Sequence, residues 1–113
     1  VNEGALDRSQ LSGLVEQVGV QATAGMVDRF IEMVPARLSR LRLAVVTGED
    51  LRDVSLSLGC SAQMLGAHAL ADAATRCRTE HGAAAERALA EVEALAGPTC
   101  HALRGARAAL SGR

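Results

Sequence analysis

Between Val27 and Val45, apolar residues return at steps of three and four: Val27, Phe30, Ile31, Val34, Leu38, Leu41 and Val45. On a strand these positions would scatter over both faces, because strand side chains alternate with a period of two. On a helix they form one unbroken stripe. The pattern predicts a long helix from about Gln21 to Val46, ~39 Å in length at ~1.5 Å of rise per residue. Such a helix draws most of its stability from other helices packed on its stripe. Phe30 is the only aromatic residue, and no run alternates β-branched or aromatic residues with polar ones, so no strand is expected.

The remaining apolar positions fall into four more helical stretches. Leu6-Asp7-Arg8-Ser9-Gln10 opens the first, with Asp7 and Gln10 spaced as a capping box. Leu11, Leu14, Val15 and Val18 share its inner face, and Gly19 stops it. Gly48 ends the long helix. A third helix is expected from about Glu49 to Leu65, with Leu51, Val54, Leu58, Ser61 or Ala62, and Leu65 inward. Gly66 interrupts, and a fourth runs from about Ala67 to Thr79 on Leu70, Ala74 and Cys77. After a turn at His81-Gly82, a fifth runs from Ala83 to Leu110 on Leu89, Val92, Ala96, Thr99, Leu103, Ala106 and Leu110. Pro35 should kink the second helix, and Gly97-Pro98 should kink or break the fifth. Short links make consecutive helices antiparallel. The expected fold is all-α: an up-down antiparallel four-helix bundle with an additional short N-terminal helix as a lid. It spans residues 1–113 as one domain, with 1–5 as a flexible tail.

Composition removes several function classes. The net charge is −1 and all twelve basic residues are arginine, so there is no basic footprint for nucleic acid or an anionic membrane. A single ring offers no stacking platform for bases. No run approaches the ~18 apolar residues of a membrane span. The odd cysteine count (Cys60, Cys77, Cys100) argues against a disulfide framework and for a reduced, cytoplasmic compartment. Cys77 and His81 are four apart and Cys100 adjoins His101, yet no CxxC or HxxxH pair supplies zinc-ligand spacing. Cys77 and Cys100 read as small buried hydrophobes and Met26, Met33 and Met64 as core filler. Glu91 and Glu93 diverge on a helix and form no carboxylate pair. No phosphate cradle or nucleophile elbow occurs, so neither a cofactor nor an enzyme activity is expected.

Three segments, in order, carry a family likeness: Leu6-Asp7, then Val27-Asp28-Arg29-Phe30-Ile31-Glu32-Met33-Val34-Pro35-Ala36-Arg37-Leu38, then Ser61-Ala62-Gln63-Met64-Leu65-Gly66-Ala67. Together they resemble the histidine-containing phosphotransfer (Hpt) domain of bacterial two-component phosphorelays over nearly the whole chain. The last segment is similar to the end of that family's pattern H-x-L-K-G-S-A-x-x-L-G-A. Carried back by position, Leu58 takes the family's leucine, while Ser61, Leu65, Gly66 and Ala67 match. The phosphoaccepting histidine falls on Leu56, the lysine on Gly59 and the following glycine on Cys60. Leu56 lies two residues from both Val54 and Leu58, so helical geometry turns it away from the core stripe. Arg52, Asp53, Gly59, Cys60 and Gln63 share its face.

The resemblance implies a chemistry that these residues have lost. In such a relay an exposed imidazole attacks an aspartyl phosphate on a receiver domain, which supplies the Mg²⁺. Leucine has no lone pair, Gly59 brings no charge, and Cys60 adds bulk where the family keeps room. Phosphorylated Ser55 or Ser57 would be a stable ester, a dead end for reversible transfer. The reading implied is a module that binds the receiver domain of a response regulator or hybrid histidine kinase without accepting phosphate. Arg52, Leu56, Gly59, Cys60 and Gln63 would form the contact surface. Two rival readings stand beside it. His101-Ala102-Leu103-Arg104-Gly105-Ala106 repeats H-x-L-[K/R]-G-A, and His68-Ala69-Leu70 echoes it weakly, so either histidine is a candidate acceptor in an active phosphocarrier. Alternatively, Leu56 could pack against a second copy in a helical dimerisation module; otherwise Leu56 is simply a surface leucine.

Overall fold

The computed structural model describes residues 6–112. Five helices account for nearly all of them: α1 (Arg8–Val18), α2 (Val20–Thr47), α3 (Leu51–Met64), α4 (His68–Thr79) and α5 (Ala83–Ser111). No strand occurs among the described residues. The expected tail at residues 1–5 lies outside them. Among the described residues no helix is long and apolar enough to cross a membrane.

The stripe that predicts α2 is the stripe the molecule buries. Val27, Phe30, Val34 and Leu41 enter one apolar cluster with Leu58 of α3, Leu70 and Cys77 of α4, and Val92 and Leu103 of α5. Leu41, Leu58 and Leu103 are fully enclosed, each contributing about 1.5–3 kcal/mol through loss of contact with water. Ala62, Ala73, Ala74, Ala88 and Ala96 fill the positions between them, and such small side chains let helix axes approach closely. α2 packs on α3 and α5, α4 packs on both α3 and α5, and α1 lies along α2. Arg107–Asp28 and Arg42–Glu93 tie α5 to α2, while Arg76–Glu91 ties α4 to α5. Glu91 and Glu93 thus turn to different neighbours, as their spacing requires.

Several local features depart from the sequence pattern. Val18 is exposed, whereas Leu11 is buried and Leu14 and Val15 are half-buried. Gly48 closes α2 in the left-handed region and donates its N–H to the Ala44 carbonyl at 2.7 Å. Asp50 is also left-handed, with φ of 57°, a conformation Asp tolerates better than most residues. The reversal therefore uses Glu49 and Asp50, and α3 begins at Leu51 rather than Glu49. Neither proline interrupts its helix: α2 runs through Pro35 and α5 through Pro98. A proline inside a helix costs about 3 kcal/mol or more. Around Pro98, Ala96, Thr99, Cys100, Ala102 and Leu103 are buried. Of the expected kink or break at Gly97-Pro98, the break does not occur.

The capping box at α1 also differs. The Asp7 carboxylate accepts from the Ser9 N–H at 3.0 Å and the Gln10 N–H at 3.3 Å. Gln10 does not reciprocate; its side chain reaches the Met64 carbonyl instead. The Asp7 N–H donates to the Gly66 carbonyl at 2.8 Å. A tertiary partner, the turn between α3 and α4, has replaced the local one and anchors the start of α1.

Candidate partner-binding site

α3 is held at both edges. On one side the buried Ser55 hydroxyl donates to the Ala74 carbonyl of α4 at 2.6 Å. On the other, Arg37 of α2 donates from Nη1 to the Ser61 hydroxyl at 3.0 Å and to the Ser57 carbonyl at 3.4 Å. The ridge left between these clamps carries Leu56, Cys60, Gln63 and Met64.

Leu56 is half-buried. Helical geometry alone expects an outward side chain, but α4 rises beside it and covers part of the surface. Leu56, Gly59, Cys60 and Gln63 line an open groove of about 410 Å³ between α3 and α4, with Ala71, Asp72 and Thr75 on the far wall. Four of the five residues singled out from sequence therefore meet in one place. Arg52 is exposed on the same face of α3 but does not line the groove. A Cβ at position 59 would stand 3.7 Å from the Ala71 carbonyl oxygen, an ordinary contact, so crowding does not require glycine there. Asp72 is the charged residue lining the groove; no cation and no imidazole does.

The histidines lie elsewhere. His68, first residue of α4, approaches Asp7 with Nε2 at 3.3 Å from Oδ2, and its Nδ1 is buried without a partner. Asp7 itself is held below the ordinary carboxylate range, foremost by the Ser9 hydroxyl, then by the Gln10 N–H and, less strongly, by His68. His101 is exposed on α5 beside the exposed Arg104 and Gly105, and His81 is exposed in the turn before α5.

Among the described residues no group of three or more His, Cys, Asp or Glu side chains converges to hold a metal ion. Cys77 and Cys100 are buried, and burial pushes the Cys77 thiol up to about 11 and the Cys100 thiol in the same direction. Both remain protonated and pack as small hydrophobes. Cys60 is exposed.

The methionines overturn an expectation. Met33 and Met64 are 38% and 48% exposed, and Met26 is half-buried. Met26 packs against the edge of the core, whereas Met33 and Met64 do not fill it, and all three line a second groove, between α2 and α3. Spacing on α2 could have shown that two of them lie off the core stripe, since Met26 and Met33 each sit beside it rather than on it.

No family model matches this chain, and neither a curated protein nor a solved structure matches it.

Proposed function

We propose that the chain is an Hpt-like module of a two-component phosphorelay. In this reading it binds a receiver or kinase domain in the cytoplasm, as adaptor or competitor, and accepts no phosphate. Its helices α2–α5 form an up-down antiparallel four-helix bundle with α1 laid over it. That arrangement is supported by the ion pairs between α2 and α5, whose order along one helix reverses along the other: Asp28 with Arg107, Arg42 with Glu93. The observation that carries the functional reading is the groove at Leu56. Leucine occupies the position where the resemblance implies an imidazole, and Gly59, Cys60 and Gln63 open beside it. An apolar side chain at a groove lip favours docking, and the absence of any lone pair there removes acceptance.

The rival reading, a phosphocarrier acting through His101, is favoured by one observation: that ring is exposed with Arg104 beside it, whereas His68 is engaged with Asp7. One experiment separates the two. Receiver domains charged from a small-molecule phosphodonor are mixed with the protein, and complex formation and acid-labile label are followed together. The expected result is a complex weakened by Leu56→Asp, with no label on the chain. Label that disappears in His101→Ala would transfer the function to α5. Sedimentation that gives a dimer dissociated by Leu56→Asp would make this surface a self-association site instead.

A further inference from the structure

The groove between α2 and α3 adjoins the Leu56 groove at Met64, which lines both, but its other residues have no part in the reading above. It holds every methionine in the chain, together with Phe30, the single aromatic residue. Methionine is unbranched and polarizable, and its adaptability suits surfaces that receive a partner's apolar side chains. Arg29 and Arg37 stand on the rim. Arg42, Arg76 and Arg107 each reach a carboxylate; among the described residues neither Arg29 nor Arg37 has one within ion-pair distance. Arg37 donates to Ser57 and Ser61, with Nη2 also 3.7 Å from the Met33 sulfur, which fixes its guanidinium across the groove mouth. Glu32 stands one turn from Arg29 on the same side of α2, but neither it nor Asp28 lines the groove, whose charged residues are Arg29 and Arg37. The neighbouring α3/α4 groove has the opposite character, with Asp72 and no cation.

We propose that this groove docks an amphipathic helix of a partner protein, one that places apolar side chains on Met26, Met33 and Met64 and carboxylates against Arg29 and Arg37. The cavity is about 220 Å³, smaller than the roughly 300–1,000 Å³ typical of small-molecule sites and suited to one or two inserted side chains. The groove runs between two helices and presents three methionines and one aromatic ring along its length, a surface suited to the spaced apolar anchors of a helix laid into it. The unanswered guanidinium charge selects an acidic helix over a basic one.

The test uses the whole chain labelled with ¹³C at the methionine methyls. Two designed helical peptides serve as probes, with the same leucine stripe but flanked by Glu in one and by Lys in the other. The Glu peptide is expected to shift the Met26, Met33 and Met64 signals. Arg29→Glu, a change at an exposed side chain, should weaken it about fivefold, a typical size for an ion pair partly shielded by water, and should improve the Lys peptide. Equal binding of both peptides, a shift of Met64 alone (which also lines the Leu56 groove) with Met26 and Met33 unmoved, or methyl signals that move with protein concentration alone would each overturn the proposal. The last of these would mean that the groove receives a second copy of the chain. Circular dichroism of Arg29→Glu guards against a loss of fold.

Discussion

Gly66 fastens the turn between α3 and α4 to the start of α1, and replacing it with alanine should be costly in a calculable way. Its φ is +87°, and a Cβ there would stand 2.5 Å from the Asp7 carbonyl oxygen and 3.2 Å from the Gln10 Cβ. Two penalties add. A non-glycine residue forced into this region costs about 1–3 kcal/mol. The displaced Asp7 backbone then loses its N–H bond to the Gly66 carbonyl, worth about 1 kcal/mol. The sum is about 3 kcal/mol, with any lost burial of Leu6 and Leu11 on top. Gly25 is the matched control, because it lies inside α2 and a Cβ there meets nothing within 4 Å. Gly25→Ala should stabilise by about 0.5–1 kcal/mol, since alanine has less backbone freedom to lose on folding. Urea unfolding followed by far-ultraviolet circular dichroism suits a chain with no Trp or Tyr. At a denaturant slope of about 1.5 kcal/mol per molar, Gly66→Ala should lower the midpoint by about 2 M while Gly25→Ala raises it slightly. A Gly66→Ala midpoint equal to that of the unaltered chain would refute the reasoning, as would equal losses from both substitutions.

Other outcomes follow from the same geometry. With an aromatic disulfide reagent at neutral pH, Cys60 should react first, with Cys77 and Cys100 reacting only as fast as the helices open, because both are buried with raised thiol pKa values. Asp7 has its folded pKa below the unfolded one, so its contribution is fully present above about pH 4 and is lost as the pH falls through the lower, folded value. Thermal unfolding should accordingly lose more stability on acidification in the unaltered chain than in Asp7→Asn, and equal losses would remove Asp7 as the cause. Ser55→Ala should cost about 1 kcal/mol in urea unfolding, because it deletes the buried hydroxyl's bond to the Ala74 carbonyl.

The sequence was legible wherever a periodic pattern met a local stop. The apolar stripe from Val27 to Val45, and the shorter stripes around it, identify all five helices, because 100° per residue is a property of the backbone and does not depend on what lies opposite. Gly19, Gly48 and Gly66 mark helix ends for equally local reasons. The face of α3 that carries Leu56, Gly59, Cys60 and Gln63 is readable on the same ground, as is the divergence of Glu91 and Glu93. What escaped depends on the partner of each group. Periodicity cannot say that Asp7 would donate to Gly66 rather than receive Gln10, that Ser55 would find the Ala74 carbonyl, or that α5 would continue through Pro98. Nor can it say that three methionines, spread from position 26 to position 64, would gather along one groove. Helical spacing fixes which residues share a side of a helix; only the juxtaposition of helices decides which side becomes core, which becomes groove and which carboxylate finds an arginine, because those energies arise between segments distant in the chain.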